Sequence, residues 1–361
     1  MATIGIGIIG CGKATQTLHL PSLQQLSGRL RIVAVCDASA AVAREVAARW
    51  GATRWTTDPA ELLAGTDIDG VLVANPNRFH VATATAALAR GKHVLLEKPA
   101  AMSLADLDAL IAAQQRAGRI VQVGYMRSFA PGYRIARERL AIIGTIRLAR
   151  VYDLIDAGLQ LIADTSDLIR DPAANPASLN LNQDEAATIR QAIGETTTEI
   201  GNAYQLLLRL GCHDLSALRG LLGRPRGVLH AMTRCDGAYL GATFDYGDFV
   251  CRFDLGLDIV RTNQIGIELV GAVGTLKLDY QLPYVRHLPA RLVTRVTDAA
   301  GDEVRAVHES QGKDQFIGEW REFAEAIARG RAQMNTLSDA RQDLEIAVEI
   351  IAALKRTAAP R

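Results

Sequence analysis

Several features are scarce in this chain of 361 residues, and each scarcity removes a class of function. The five cysteines, Cys11, Cys36, Cys212, Cys235 and Cys251, are scattered and odd in number. They form neither a C-x-x-C pair nor a disulfide framework, so a reducing, cytoplasmic setting is expected. The formal net charge is only +1, with no dense Lys/Arg cluster. Neither nucleic acid nor an anionic membrane surface would find an electrostatic footprint here. No apolar run reaches the roughly 18 residues of a membrane span. Met1 leads directly into an apolar strand, and nothing beside it reads as a signal peptide. His19, His93, His230, His287 and His308 have no metal-ligand spacing with one another or with acids, so no metal is expected. Internal repeats and low-complexity tracts are lacking too.

What is present is a soluble globular composition, 49% hydrophobic and 22% charged, on a chain long enough to make two domains the default. Residues 4–37, IGIGIIGCGKATQTLHLPSLQQLSGRLRIVAVCD, are the most informative stretch. Ile4 to Ile9 reads as a buried parallel strand, Gly10 and Gly12 punctuate its end, and a helix is expected from about Lys13 and Ala14. Glycines there let the chain turn tightly and aim free N–H groups and the positive end of the helix at a pyrophosphate. The second strand ends at Asp37, whose carboxylate can accept from both adenosine ribose hydroxyls and would repel the 2′-phosphate of NADP. NAD is therefore the expected cofactor, with Ser39 and Arg44 leaving some room for NADP. Thr15 stands where the strict fingerprint has a third glycine.

The β/α rhythm then repeats: strands at 70–74, 93–96 and 120–123, helices at 38–50, 79–90 and 103–117. Such alternation implies a doubly wound parallel sheet with its ligand crevice at the carboxyl ends of the strands. Gly10, Asp37, Asn75, Glu97 and Gly124 all fall at such ends. From about residue 149 the rhythm changes. Residues 157–200 carry Pro, Asn and Asp clusters and read as an insertion or lid over the substrate. Glu199 to Leu222 reads as one long helix or two short ones, and His230 to Tyr280 as a series of strands, so an α+β half with a largely antiparallel sheet is expected. Amphipathic helices within 315–355 would brace the junction between residues 1–127 and 128–361.

Glu97-Lys98-Pro99 places a lysine at a crevice strand end, where its ammonium can point at a bound substrate and the proline stiffens the turn. Taken alone, the tripeptide reads better as a solvated loop, its Lys paired with the neighbouring Glu. Its context decides. GIIGCG (7–12), VCD (35–37), NPNRFH (75–80), LLEKPA (95–100), QVGYMRSFAPGY (122–133), IG (143–144), HDL (213–215) and GAVGTLKLD (271–279) occur in order. In this the chain resembles the Gfo/Idh/MocA oxidoreductases, densely over the first 150 residues and patchily beyond.

The resemblance implies a Rossmann domain followed by an α+β domain with a large open sheet that supports homo-oligomers, here a dimer or tetramer. It implies oxidation of a hydroxyl of a sugar, sugar derivative or cyclitol, with hydride passing to NAD(P). Gly10, Gly12, Lys13, Ala14 and Asp37 would hold the adenosine half of the cofactor. Asn75, Pro76, His80, Glu97, Lys98, Met126 and Arg127 would surround the nicotinamide side. Lys98 and His213 would manage the hydroxyl proton.

In the family an acid one turn before the histidine supports it, but this chain has Arg209 there. Asp214 cannot simply replace it, because adjacent helical residues diverge by about 100°. Arg209 would suit an acidic group on the substrate, or would pair with Asp184 or Glu185 in the insertion. Arg286 and His287 are further substrate-binding candidates. Two alternatives stay open: a catalytically impaired nucleotide-binding sensor or scaffold, and a reductase of imine or unsaturated carbonyl substrates.

Overall fold

The computed structural model describes residues 3–156, 166–171, 181–258, 263–309, 314–332 and 334–358. Contacts divide the chain into two compact units, the first drawn from residues 1–124, 161–192 and 316–341 and the second from 125–160, 193–315 and 342–361.

Unit 1 is built on a parallel sheet. Strands β1 (Ile4–Ile9), β2 (Leu30–Cys36), β3 (Arg54–Thr56), β4 (Gly70–Val73), β5 (His93–Leu96) and β6 (Val121–Val123) lie in the order β3-β2-β1-β4-β5-β6. This is the Rossmann order, whose topological switch falls between β1 and β4. β4 is buried at every position and β1 at all but its first, as a sheet covered by helices on both faces requires. Helices α1 (Leu20–Gln25), α2 (Ala40–Trp50), α3 (Pro59–Leu63), α4 (His80–Ala89) and α5 (Leu104–Ala117) provide the crossovers. Ser39, Asp58 and Ser103 accept hydrogen bonds from first-turn N–H groups of α2, α3 and α5, while Gly51 and Gly118 end α2 and α5 in the left-handed conformation.

Register turns this sheet into a site. Ile9 is level with Cys36 on one side and Val73 on the other, Val73 with Leu96, and Leu96 with Val123. The residues that follow, Gly10, Asp37, Ala74, Glu97 and Gly124, therefore stand in one row along the carboxyl edge.

Unit 2 carries the eight-stranded sheet. After α6 (Pro131–Arg139) come β7 (Ile146–Asp156), α7 (Leu181–Ile193, almost wholly in unit 1), α8 (Thr198–Leu206) and α9 (Cys212–Leu222). β8 (Gly227–Arg234), β9 (Tyr239–Asp245), β10 (Val250–Asp258), β11 (Gln264–Gly271), β12 (Gly274–Tyr280), β13 (Arg291–Thr297) and β14 (Glu303–Glu309) follow. The order is β14-β13-β12-β11-β7-β10-β9-β8, antiparallel except for the β7–β10 pair. Successive strand side chains point to opposite faces, so Ala149, Val151 and Asp153 of β7 face inward with Phe253 and Leu255 of β10 and Ile267 and Leu269 of β11. The outer face of β11–β14 holds a charged concavity of about 600 Å³, lined by Lys277, Arg291, Arg295 and Arg305 among others. None of the site residues anticipated from the sequence lies in it.

The doubly wound parallel sheet and the large, mostly antiparallel second sheet are the architecture expected from the sequence. Three strands fall outside the sequence expectation, the three-residue β3 and, in the second sheet, β13 and β14. β14, EVRAVHE, is the edge strand and β13, RLVTRVT, lies between it and β12, and in both the exposed charges hide the apolar alternation. Between α8 and α9 the chain makes one π-helical turn, Leu207–Gly211, which accounts for a segment readable as one helix or two.

Helices α10 (Gln315–Arg329) and α11 (Leu337–Ala358) complete the chain. Within unit 1, Trp320 and Phe323 of α10 are fully buried in one apolar cluster with Ile6, Ile8 and Leu95. Within unit 2, Asp343 of α11 pairs with Arg219 at 2.7 Å. No helix among the described residues is long and apolar enough to cross a membrane.

Candidate functional site

The row of strand ends in unit 1 begins with the glycine turn. Gly10 has φ +98°, and a Cβ there would lie 2.5 Å from the backbone of Ala74 and Asn75, so the fold itself demands glycine. Gly12 differs. Among the described residues a Cβ on Gly12 meets nothing within 4 Å, so their packing does not explain why this position lacks a side chain. Open space over a glycine at a helix N-terminus is where a dinucleotide's pyrophosphate approaches the backbone, and the residues present fit such a group. The helix does start at Lys13, and its first turn, Thr15–His19, is π-helical. Thr15 is buried there and its Oγ1 donates to Gly10 O at 2.7 Å, so the hydroxyl closes the turn that a third glycine would otherwise relax.

Asp37 is fixed by two backbone donors: Cys11 N–H to Oδ2 at 2.9 Å and Ser39 N–H to Oδ1 at 3.0 Å. Its carboxylate thus ties the end of β2 to the glycine turn. Lys13 lies in a cationic neighbourhood, its pKa lowered by burial first and then by the charges of Lys98 and Arg170. A dianionic pyrophosphate is complementary to that cluster.

The loops after β4 and β5 are joined by His80, whose Nδ1 lies 2.8 Å from Pro99 O and whose Nε2 lies 2.8 Å from Asn75 O. Burial lowers its pKa although both carbonyls and Glu97 pull the other way, and a neutral ring donates to one of the two at a time. Asn75 Nδ2 donates to Thr83 Oγ1 at 2.8 Å, while its Oδ1 is buried with no hydrogen-bond partner among the described residues. Pro76 precedes a short 3₁₀ turn, Asn77–Phe79.

Glu97 sits at the centre of a relay that the sequence did not disclose. Its Oε1 lies 2.8 Å from His19 Nε2, and its Oε2 accepts from Lys98 N–H at 3.0 Å. On the other side of the imidazole, Trp320 Nε1 donates to His19 Nδ1 at 3.2 Å. Indole is only a donor, so Nδ1 accepts and the ring proton sits on Nε2, directed at Glu97. Burial alone would raise the carboxyl pKa of Glu97, but the His19 hydrogen bond, with the charge of Lys98, holds it below the usual range. The backbone of Lys98 is thereby anchored from below. No spacing rule links positions 19, 97 and 320, and only the fold assembles them.

Unit 2 holds the remaining candidates. Met126 and Arg127 lie in a buried 3₁₀ turn, Met126–Phe129. The Arg127 guanidinium bonds Asp153 of β7 and Asp214 of α9 and faces the Tyr280 ring at 5.4 Å. Arg127 is 4% exposed and both acids 2% or less, so this is a dry ion triad. Burial opposes the charge on Arg127, but the two carboxylates outweigh it and raise its pKa. Burial and then Asp153 push the Asp214 carboxyl well above the usual range against the pull of Arg127.

His213 is buried, edge-on to Tyr125 with ring centroids 6.2 Å apart. Its neighbour Asp214 turns to Arg127, as the divergence of adjacent helical residues requires. Arg209 is exposed on the π turn, and the side chains of Asp184 and Glu185 lie outside the described residues. Arg286 pairs with Asp314 at 3.1 Å, and His287 has φ +64°.

Comparisons with known proteins identify the family. A family profile described as an oxidoreductase family with an NAD-binding Rossmann fold matches residues 4–125. Inositol 2-dehydrogenase 1 of Saccharopolyspora erythraea is 30% identical over 335 residues, 91% of this chain and 88% of that protein. Inositol 2-dehydrogenase of Burkholderia cenocepacia is 36% identical over 317 residues, 82% of this chain and 80% of the other. The chain belongs to the Gfo/Idh/MocA family of oxidoreductases, enzymes that act on CH–OH groups with NAD(P).

Among solved structures, levoglucosan dehydrogenase in complex with NADH and levoglucosan matches with TM-score 0.78 at 19% identity over 99% of this chain and 98% of that one. A 3-ketoreductase from Actinomadura kijaniata in complex with NADP and TDP-benzene matches with TM-score 0.72 at 20% identity over 98% of each chain. At such identities they speak for the fold alone.

Proposed function

We propose that the protein is an NAD-dependent dehydrogenase of a polyhydroxylated substrate, a cyclitol, sugar or sugar derivative. The observation that carries the reading is the single row of Gly10, Asp37, Glu97 and Gly124 at the carboxyl edge of the parallel sheet, with Lys98 directly after it. Gly10, Gly12, Lys13 and Ala14 would hold the pyrophosphate and Asp37 the adenosine ribose. Asn75, Pro76, His80 and Glu97 would shape the nicotinamide end. The unmet acceptor Asn75 Oδ1 suits a carboxamide N–H.

The bound nicotinamide supplies the hydride acceptor. Lys98, anchored through Glu97, His19 and Trp320, would hold the reacting hydroxyl, and His213 would serve as its acid/base. Met126 and Arg127 enter differently: the Arg127 guanidinium already binds two carboxylates, so its part is to brace the turn at Tyr125 and Met126. The relatives named as inositol 2-dehydrogenases direct the substrate class toward cyclitols.

Purified protein with NAD and a panel of inositols, hexoses and anhydrosugars, followed at 340 nm, tests this. Turnover with at least one polyol is expected, and none with any polyol in either direction would overturn the reading. Self-association as a dimer or tetramer belongs to the same proposal. A one-chain molar mass by light scattering would remove it.

A further inference from the structure

Residues 166–171, from the middle of the expected lid, lie within unit 1 against the glycine turn. Gln16 clamps the backbone of Ile169 from both sides: Nε2 donates to Ile169 O at 2.9 Å, and Ile169 N–H donates to Oε1 at 2.9 Å. The same Nε2 donates to Cys11 O at 2.7 Å, so the clamp is built on the glycine turn itself. Gln16 and Ile169 are both buried. Arg49 of α2 donates to Asp167 O at 2.8 Å. At the other end, Ser39 Oγ donates to Asp171 Oδ2 at 2.7 Å, while Ser39 N–H donates to Asp37 Oδ1 at 3.0 Å. One serine therefore joins two carboxylates, Asp37 from the end of β2 and Asp171 from the strap.

We propose that the strap 167–171 forms the outer wall of the adenosine site, and that Asp171 acts with Asp37 as a second acid that excludes a 2′-phosphate. The inference rests on the dinucleotide reading above and deepens it: discrimination between NAD and NADP belongs to two carboxylates 134 positions apart, not to the fingerprint acid alone. A phosphate monoester carries about −1.5 to −2 charges at neutral pH. At an effective dielectric between those of a protein surface and water, repulsion by one further carboxylate lowers its affinity about tenfold. NAD, with hydroxyls in that place, feels no such repulsion.

The test is a fluorescence titration of the full-length protein with NADH and with NADPH. Asp171→Asn keeps an oxygen for the Ser39 hydroxyl and removes the charge. NADPH affinity should rise about tenfold, with NADH affinity changed by less than about threefold. Gln16→Ala removes the clamp without touching either acid, and should shift the NADPH/NADH ratio in the same direction by freeing Asp171 from its place beside Ser39. If NADH binds and the ratio is unchanged in both variants, the strap proposal is overturned while the dinucleotide reading stands. Failure of the unmutated protein to bind either nucleotide would overturn both.

Discussion

The two glycines of the β1 turn should respond in opposite ways to the same small change. Gly10→Ala puts a methyl 2.5 Å from the Ala74 backbone at φ +98°. The left-handed conformation costs a non-glycine residue about 1–2 kcal/mol, and the overlap with backbone that cannot step aside adds about 1–3 kcal/mol. A loss of about 2–5 kcal/mol in unfolding free energy follows. Gly12→Ala meets no atom of the described residues within 4 Å and has no positive φ to violate. Its unfolding free energy should stay level or rise by up to about 1 kcal/mol through the stiffer unfolded chain. Its methyl instead stands where the pyrophosphate must approach, and NADH affinity should fall at least tenfold, about 1.4 kcal/mol. Urea unfolding and NADH fluorescence titration on both variants give the two pairs of numbers. A Gly12→Ala protein that binds NADH normally would refute the assignment of that glycine to the nucleotide.

Lys98→Met keeps much of the side-chain volume and deletes the charge, so kcat should fall about 100-fold or more while NADH affinity holds; near-normal turnover would remove Lys98 from the chemistry. Arg127→Met leaves two buried carboxylates without their cation and should cost about 3–5 kcal/mol in urea unfolding, and a loss under 1 kcal/mol would mean the triad is wetter than its burial shows. Asp214, with its folded pKa raised, favours the fold in its protonated state, so its contribution is present at low pH and is lost as pH rises through the folded value. Asp214→Asn should therefore flatten the decline of Tm as pH rises above the ordinary carboxylate range. Glu97 has the opposite sign: its pKa is depressed, so its stabilisation fades only as pH falls below the ordinary carboxylate range. Glu97→Gln should make acid unfolding below about pH 4.5 less steep.

The parallel half was readable because its signals are local. β1, β2 and β5 are apolar runs that end at a glycine or an acid, and α2, α3 and α5 carry their own side-chain caps. A fixed register then turns those one-dimensional ends into a row in space. The relay from Trp320 through His19 to Glu97 was not readable, because three residues far apart in sequence meet only after α10 joins the core of unit 1. Asp153 illustrates the same limit. At the third inward position of β7 it carries no local sign of the ion triad it forms with Arg127 and Asp214. The strap is legible only in part, for a different reason: its Pro, Asn and Asp clusters say loop, and composition cannot say what a loop packs against. The outermost strand β14 and its neighbour β13 were not legible because a half-solvated strand spends its alternation on arginine and glutamate.

The most direct test of the central claim follows the hydride itself. A polyol that the panel shows to be active, carrying deuterium at its carbinol carbon, is incubated with NAD and the unmutated protein, and the reduced nucleotide is weighed by mass spectrometry. The account expects one deuterium in each NADH formed, and a slower rate with the labelled compound wherever hydride transfer limits turnover. NADH without label, or label released to water, would contradict it.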